Sequence, residues 1–189
     1  MIKPLPIDEL DRRSRKDIII AVGGAGANIL KSIYDNTDSK SHKKTRFAVI
    51  GYNPEMLAKF EDENFELYWL ERDTEDHDMA LFIGTEKTIL IGGLGGRTVN
   101  YLLPYTIDVA HDFGHQDIHA MVTLPFLFEG EEKRKEAEKT LLQIQEKIGA
   151  KNVIVFDNES LINNHPDLDF FDSFNLSDKE ICNVVKTIL

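Results

Sequence analysis

The sequence holds a single cysteine, Cys182, in 189 residues, so no internal disulfide is available. No apolar run approaches the roughly 18 residues of a membrane-spanning helix. Met1–Leu10 has neither the basic opening nor the apolar core of a signal peptide. Together these absences lead us to expect a cytoplasmic protein in a reducing compartment, with no membrane partner. Positive charge is scarce as well. Against 33 Asp and Glu stand 22 Lys and Arg, and the net charge of −11 repels nucleic acid and anionic lipid, which excludes both as expected partners. The local basic run Lys40–Arg46 (KSHKKTR) falls between two predicted elements and reads as a solvated loop.

What is present is the balance of a globular chain, with 42% hydrophobic and 29% charged residues, long enough for one ordinary domain. Residues 1–16, with two prolines and alternating charges, read as a mobile arm, and 17–189 as the single domain. The run Asp17–Gly24 (DIIIAVGG) is short, β-branched and apolar throughout, the pattern of a strand buried on both faces. Similar runs recur at Phe47–Tyr52, Thr88–Ile91, Ile118–Thr123 and Val153–Phe156. Helical patterns separate them at Ala25–Tyr34, weakly near Asp76–Phe82, at Thr98–Phe113 and at Glu131–Ile148. This alternation predicts an α/β fold, a doubly wound parallel sheet. The last segment, Asp178–Leu189, has an apolar stripe of Ile181, Val184, Val185 and Ile188 behind a Ser177/Glu180 capping box. Left uncovered, that stripe would mediate self-association. Cys182 beside it reads as a packed thiol.

Two glycine-rich turns are the candidates for chemistry, although glycines there also simply permit tight strand-to-helix turns. The first strand runs into Gly23-Gly24-Ala25-Gly26, and a later one into Gly92-Gly93-Leu94-Gly95-Gly96-Arg97-Thr98. Each is followed by a helix, so backbone amides at a helix start are available to phosphate. Neither turn is a standard fingerprint. The third glycine of G-x-G-x-x-G falls at Ile29, and the chain has no G-K-[ST]. His111, His115 and His119 are spaced by four, but Gly114 interrupts any helix that would align them as a metal site.

Further motifs give the chain a resemblance. Asn53-Pro54-Glu55-Met56-Leu57, the stretch Val122-Thr123-Leu124-Pro125-Phe126-Leu127-Phe128-Glu129-Gly130, and Ile154–Leu161 (IVFDNESL) follow one another in the order found in FtsZ. With Phe171-Asp172-Ser173-Phe174 and Asp178 they make everything from Asp17 onward resemble the nucleotide-binding half of the tubulin/FtsZ superfamily. The resemblance implies a guanine nucleotide, GTP or GDP, with Mg²⁺ as a possible companion. It implies that Gly23, Gly24, Gly26, Gly95, Gly96 and Thr98 surround the phosphates, with Arg97 adding charge. It further implies that Glu129 takes the ribose, with Lys133 or Arg134 nearby, and that Asn28, Asn158, Phe174 and Asp178 line the base pocket.

The pattern also departs from the family's. Where FtsZ has G-G-G-T-G-T-G, this chain has Gly95-Gly96-Arg97-Thr98-Val99-Asn100-Tyr101, so three glycines are replaced by larger residues. The stretch between Asn53 and Thr88 is short for the family's helix and terminal-phosphate loop, and holds instead the acidic block 61–78 (EDENFELYWLERDTEDHD), read as a solvated loop rather than a Mg²⁺ site. The family's hydrolysis-triggering acidic loop and second domain follow the central helix, near which this sequence ends. The expectation is therefore a nucleotide-binding, FtsZ-like domain with little or no hydrolysis alone, acting through itself or an FtsZ-family partner. A GTPase completed by a partner's acidic loop and a pseudo-GTPase interaction module remain the alternatives.

Overall fold

A computed structural model describes residues 17–61, 64–71 and 85–164, together with 176, 180, 181, 183 and 184. The chain alternates as the sequence predicts. Strand β1 (Asp17–Val22) leads into α1 (Gly23–Asn36), a short α2 (Ser39–Lys44) and β2 (Thr45–Gly51). A five-residue helix α3 (Pro54–Ala58) precedes β3 (Glu66–Trp69) and β4 (Lys87–Gly93). Then come α4 (Arg97–Asp112), β5 (Asp117–Leu124), a 3₁₀ turn at Leu127–Glu129, α5 (Glu131–Ile148), β6 (Val153–Asp157) and α6 (Asn158–Asn164).

The six strands among the described residues are all parallel, in the order β3-β2-β1-β4-β5-β6. Alternate residues of β1 explain why helices must cover both faces. Ile18, Ile20 and Val22 face one side, where they pack with Val99, Leu102, Leu103 and Ile107 of α4 and Ala137 and Ile144 of α5. Ile19 and Ala21 face the other, with Ala27, Leu30 and Ile33 of α1 and Leu57 of α3. Every one of these β1 side chains is fully buried. A buried Ile or Leu contributes about 1.5–3 kcal/mol, so the central strand is the main anchor of both layers. Winding outward from β1 in one direction and from β4 in the other, the chain reverses between these two strands. That reversal opens a crevice at their carboxyl ends.

Three readings of the sequence need correction. The acidic block at 61–78 is not all solvated loop, because it contains β3. Nor is Lys40–Arg46 a solvated loop: most of it is α2, and Arg46 sits within β2 with its side chain 3% exposed. The two misread segments meet. Arg46 donates to both carboxylate oxygens of Glu66, Nε at 2.8 Å and the terminal nitrogen at 2.7 Å, and the Tyr68 hydroxyl donates to the same carboxylate at 2.9 Å. Burial opposes the charge on Arg46, yet the Glu66 hydrogen bond and charge outweigh it and raise its pKa. Burial, with the Glu66 charge beside it, also pushes the Tyr68 phenol up. Third, Ile181 is 1% exposed and belongs to the core rather than to a free face, with Val184 half-buried against the same layer, while Val185 and Ile188 lie outside the described residues.

Of the three histidines, His111 lies in the last turn of α4, His115 follows the helix near Thr85, and His119 sits on β5, hydrogen-bonded to Asp117. The weak helix near Asp76–Phe82, the arm 1–16, Ser177 and Cys182 lie outside the described residues.

Candidate functional site

Because every strand is parallel, the turns that leave β1, β2, β4, β5 and β6 share one edge of the sheet, and neighbouring ones touch. Val99 Cγ2 lies 3.2 Å, and Thr98 Cγ2 3.7 Å, from where a Cβ would stand on Gly23. The corresponding point on Gly93 is 2.9 Å from Ala25 Cβ. The two glycine turns therefore converge across the β1/β4 crevice. Met56, at the start of α3, approaches Gly24 from the β2 side, and Lys133 and Pro125 approach Gly95 from the β5 side.

The glycines have distinct physical reasons. Gly26 lets α1 lie directly on β4, since a Cβ there would stand 2.6 Å from the Ile91 carbonyl oxygen. Its role is close packing of helix on strand. Gly95 adopts φ +91°, the left-handed region that side chains disfavour, and Lys133 Cγ would lie 2.8 Å from an added Cβ.

The two helix starts at this crevice are bare. The first turn of α1 is Gly-Gly-Ala-Gly and that of α4 Arg-Thr-Val-Asn, with no acidic residue in either, and among the described residues no side chain caps the first amides. A helix start left this way presents open N–H donors and the positive end of its dipole. Arg97 and Gly24 are exposed, Gly96 and Thr98 half-buried and Gly23 buried.

Of the three residues that replace family glycines, none fills the crevice in the same manner. Val99 turns inward and is 4% exposed, packed between Gly23 and Gly92 as part of the core. Tyr101 is 58% exposed and stacks on Tyr105, one turn further along α4, with Tyr52 tilted against it. Arg97 remains at the helix start. A cavity of about 440 Å³ lies farther along α4 and α5, bounded by Tyr101, Tyr105, Asp108 and Lys147, and it reaches the glycine turn only through Asn100.

Beyond β5 the side chains are heavily engaged with one another. Glu129 accepts from the Phe126 N–H at 2.9 Å through one oxygen and pairs with Lys133 through the other. Arg134 forks onto Asp157, both contacts at 2.8 Å, while also donating to the Pro125 carbonyl at 2.9 Å and to Glu138 at 2.9 Å. The Arg134 guanidinium holds the Asp157 carboxyl below its ordinary range, against the opposing effect of burial. Asp157 in turn keeps the guanidinium charged well above its usual value. This Arg134–Asp157 fork ties the ends of β5 and β6 to the start of α5. Glu159 adds a second tie, accepting from the Leu127 N–H at 3.0 Å. Asn158 is 6% exposed at the start of α6, and Asn28 is exposed on α1. Phe174 and Asp178 lie outside the described residues. Neither the Arg134–Asp157 fork nor Asn100, which holds the Gly95 amide, is singled out by sequence reasoning; the only signal for the former is a lone acid closing an apolar strand.

An all-parallel sheet of this order, with helices on both faces and glycine turns at the β1/β4 reversal, defines a Rossmann-like, doubly wound α/β domain. No protein-family model matches the chain. In sequence it resembles the cell division protein FtsZ 1 of Thermococcus kodakarensis, 28% identical over 203 residues, covering 95% of this chain and 51% of that protein. FtsZ 1 of Archaeoglobus fulgidus is likewise 28% identical over 90% of this chain and 49% of its own length. The chain thus spans about half the length of the curated relatives it matches. Among solved structures, an empty FtsZ dimer from M. jannaschii superposes with a TM-score of 0.75 at 20% identity, covering 95% of this chain and 56% of that one. CetZ2 from Haloferax volcanii, solved as a GTPγS-bound protofilament, gives 0.70 at 14% identity, covering 92% and 57%.

Proposed function

We propose that this domain binds a guanine nucleotide in the β1/β4 crevice, with little or no hydrolysis alone, and works through association with itself or an FtsZ-family subunit. The observation that carries the reading is the pair of bare, acid-free helix starts converging on the reversal point of the sheet. In a chain of net charge −11, a place where acids are missing from two facing helix starts is suited to an anion. Likeness to FtsZ supplies the guanine, with Asn28, Asn158, Phe174 and Asp178 as the base-side residues and Mg²⁺ as the accompanying ion. A carboxylate at Asp178 would accept from the ring N–H and exocyclic amine of guanine, donors that adenine does not offer in that arrangement. Weak hydrolysis fits the occupied acids at this edge, since Glu129 and Glu159 are both held by partners within the chain. Leu127 and Phe128, 58% and 60% exposed beside the crevice, supply apolar surface for association.

Calorimetric titration with GTP, GDP and ATP, with and without Mg²⁺, tests this reading. Guanine nucleotides are expected to bind and ATP to fail, with binding lost in Asp178→Ala. Absence of binding by any nucleotide overturns it. A second reading, a pseudo-GTPase interaction module, is favoured by one observation: the Gly95 N–H already has a partner, Asn100, inside the chain. Under it no nucleotide binds, while sedimentation still detects association. If a partner supplies the catalytic acid, phosphate release should rise on mixing with an FtsZ-family protein.

A further inference from the structure

We propose that Asn100 is a built-in competitor for the phosphate cradle, lowering nucleotide affinity by occupying an amide that a phosphate oxygen would otherwise take. This inference rests on the nucleotide reading above and asks which donors of the second glycine turn are available to a ligand. A backbone N–H serves one acceptor well, so the turn can be surveyed amide by amide. The Leu94 N–H donates to the Thr123 carbonyl at 2.9 Å, which fixes the turn to β5. The Gly95 N–H donates to Asn100 Oδ1, also at 2.9 Å. Asn100 belongs to the first turn of α4, and its side chain reaches back past the helix start to do this, while its own N–H makes the ordinary helical bond to the Gly96 carbonyl at 3.0 Å. Lys133, whose stem crosses Gly95, is paired with Glu129. Both groups that a phosphate would use at Gly95, the amide and the ammonium, thus have partners within the chain.

The two partners differ in how readily they yield. An amide oxygen is a neutral acceptor, and a phosphate oxygen, being charged, forms hydrogen bonds about twice as strong. Nucleotide can therefore displace Asn100, but each binding event must first break the Gly95–Asn100 bond. The penalty is the net worth of one neutral hydrogen bond, which corresponds to about a three- to tenfold weaker affinity. The opposite role is a brace: Asn100 would shape the turn for phosphate, and removing it would weaken binding. The two roles predict changes of opposite sign.

The test is calorimetric titration of GDP into the full 189-residue chain, comparing wild type with Asn100→Ala and Asn100→Leu, the latter keeping volume without an acceptor. Both variants are expected to bind about three- to tenfold more tightly than wild type. Binding by the variants alone would support the same conclusion. Equal or weaker binding in the variants, with wild type still binding, overturns the competitor role and leaves the nucleotide reading in place. No binding by any of the three overturns both. Should a variant fail to fold, NMR titration of the wild type with GDP supplies the answer. The Gly95 amide and Asn100 side-chain amide resonances should shift together as their bond is exchanged, and resonances that stay fixed at saturation overturn the proposal.

Discussion

The helices of this domain start in two different ways, and under the proposed nucleotide reading the contrast separates structural ends from ligand-facing ones. Helix α3 begins behind Asn53, whose side chain accepts from the Glu55 and Met56 amides, and carries an acid in its first turn. Helix α5 begins with Glu131 and Glu132, with Glu129 folded back just before it. Helices α1 and α4 begin with glycine turns and neither device. A chain with 33 acidic residues had ample means to complement these dipoles, yet neither helix start at the crevice carries an acid in its first turn. Stability is completed where a helix end faces solvent or its own chain. At the crevice, on the proposed reading, it is left for an anion to complete.

The largest test of this contrast is to restore the family's glycine at position 99. Because Val99 is core between Gly23 and Gly92 rather than a lid on the crevice, Val99→Gly should cost about 2–4 kcal/mol in urea denaturation, combining lost burial with helix-interior glycine. A gain in nucleotide affinity without loss of stability would contradict its placement. Next, Gly26→Val should cost about 1–3 kcal/mol by forcing α1 off β4, and would weaken nucleotide binding through displacement of the helix start. Asp157→Asn, at the end of β6 where Arg134 of α5 is clamped, should cost about 1–2 kcal/mol at pH 7. The pH dependence has a definite sign. Asp157 is depressed in the folded protein, so its contribution is present above the unfolded carboxylate value of about 3.9 and is lost as pH falls through the lower folded value. The stability gap between wild type and Asp157→Asn should therefore close in strong acid and persist at neutrality; a gap that closes near pH 6 would point to another group.

The smallest effect is the most discriminating. Ala25→Asp places an acid in the first turn of α1, and should stabilise the unliganded protein by about 0.3–1 kcal/mol while abolishing nucleotide binding. Glu131→Gln at α5 should do the reverse to stability by a similar amount and leave binding unchanged. Equal responses at the two helices, in thermal melts and titrations, would erase the distinction drawn between them.

How far the sequence speaks depends on which force shapes each segment. Five strands and the helices α1, α4 and α5 were legible because hydrophobic burial sets their periodicity and leaves a one-dimensional trace, as in DIIIAV or Ala137, Leu141 and Ile144. Strand β3 was not, since Glu66, its first residue, reads as solvent until Arg46, 20 residues away, is seen to neutralise it. The same reason hid Arg46 itself. The convergence of the two glycine turns follows from parallel topology and was legible in outline, whereas the inward turn of Val99 and the outward turn of Tyr101 depend on helix phase at the first turn. Side-chain pairings across the fold, such as Arg134 with Asp157, leave no pattern along the chain.

The sheet's rims carry a consequence for assembly. Among the described residues its outermost strands, β3 with four residues and β6 with five, are shorter than the six- to eight-residue strands between them. A short rim offers few unpaired backbone groups for another chain to zip onto, so it discourages growth by adding strand to strand. Any polymer built from this domain would then be a stack of finished units meeting through loops and helices, able to come apart without unravelling a sheet.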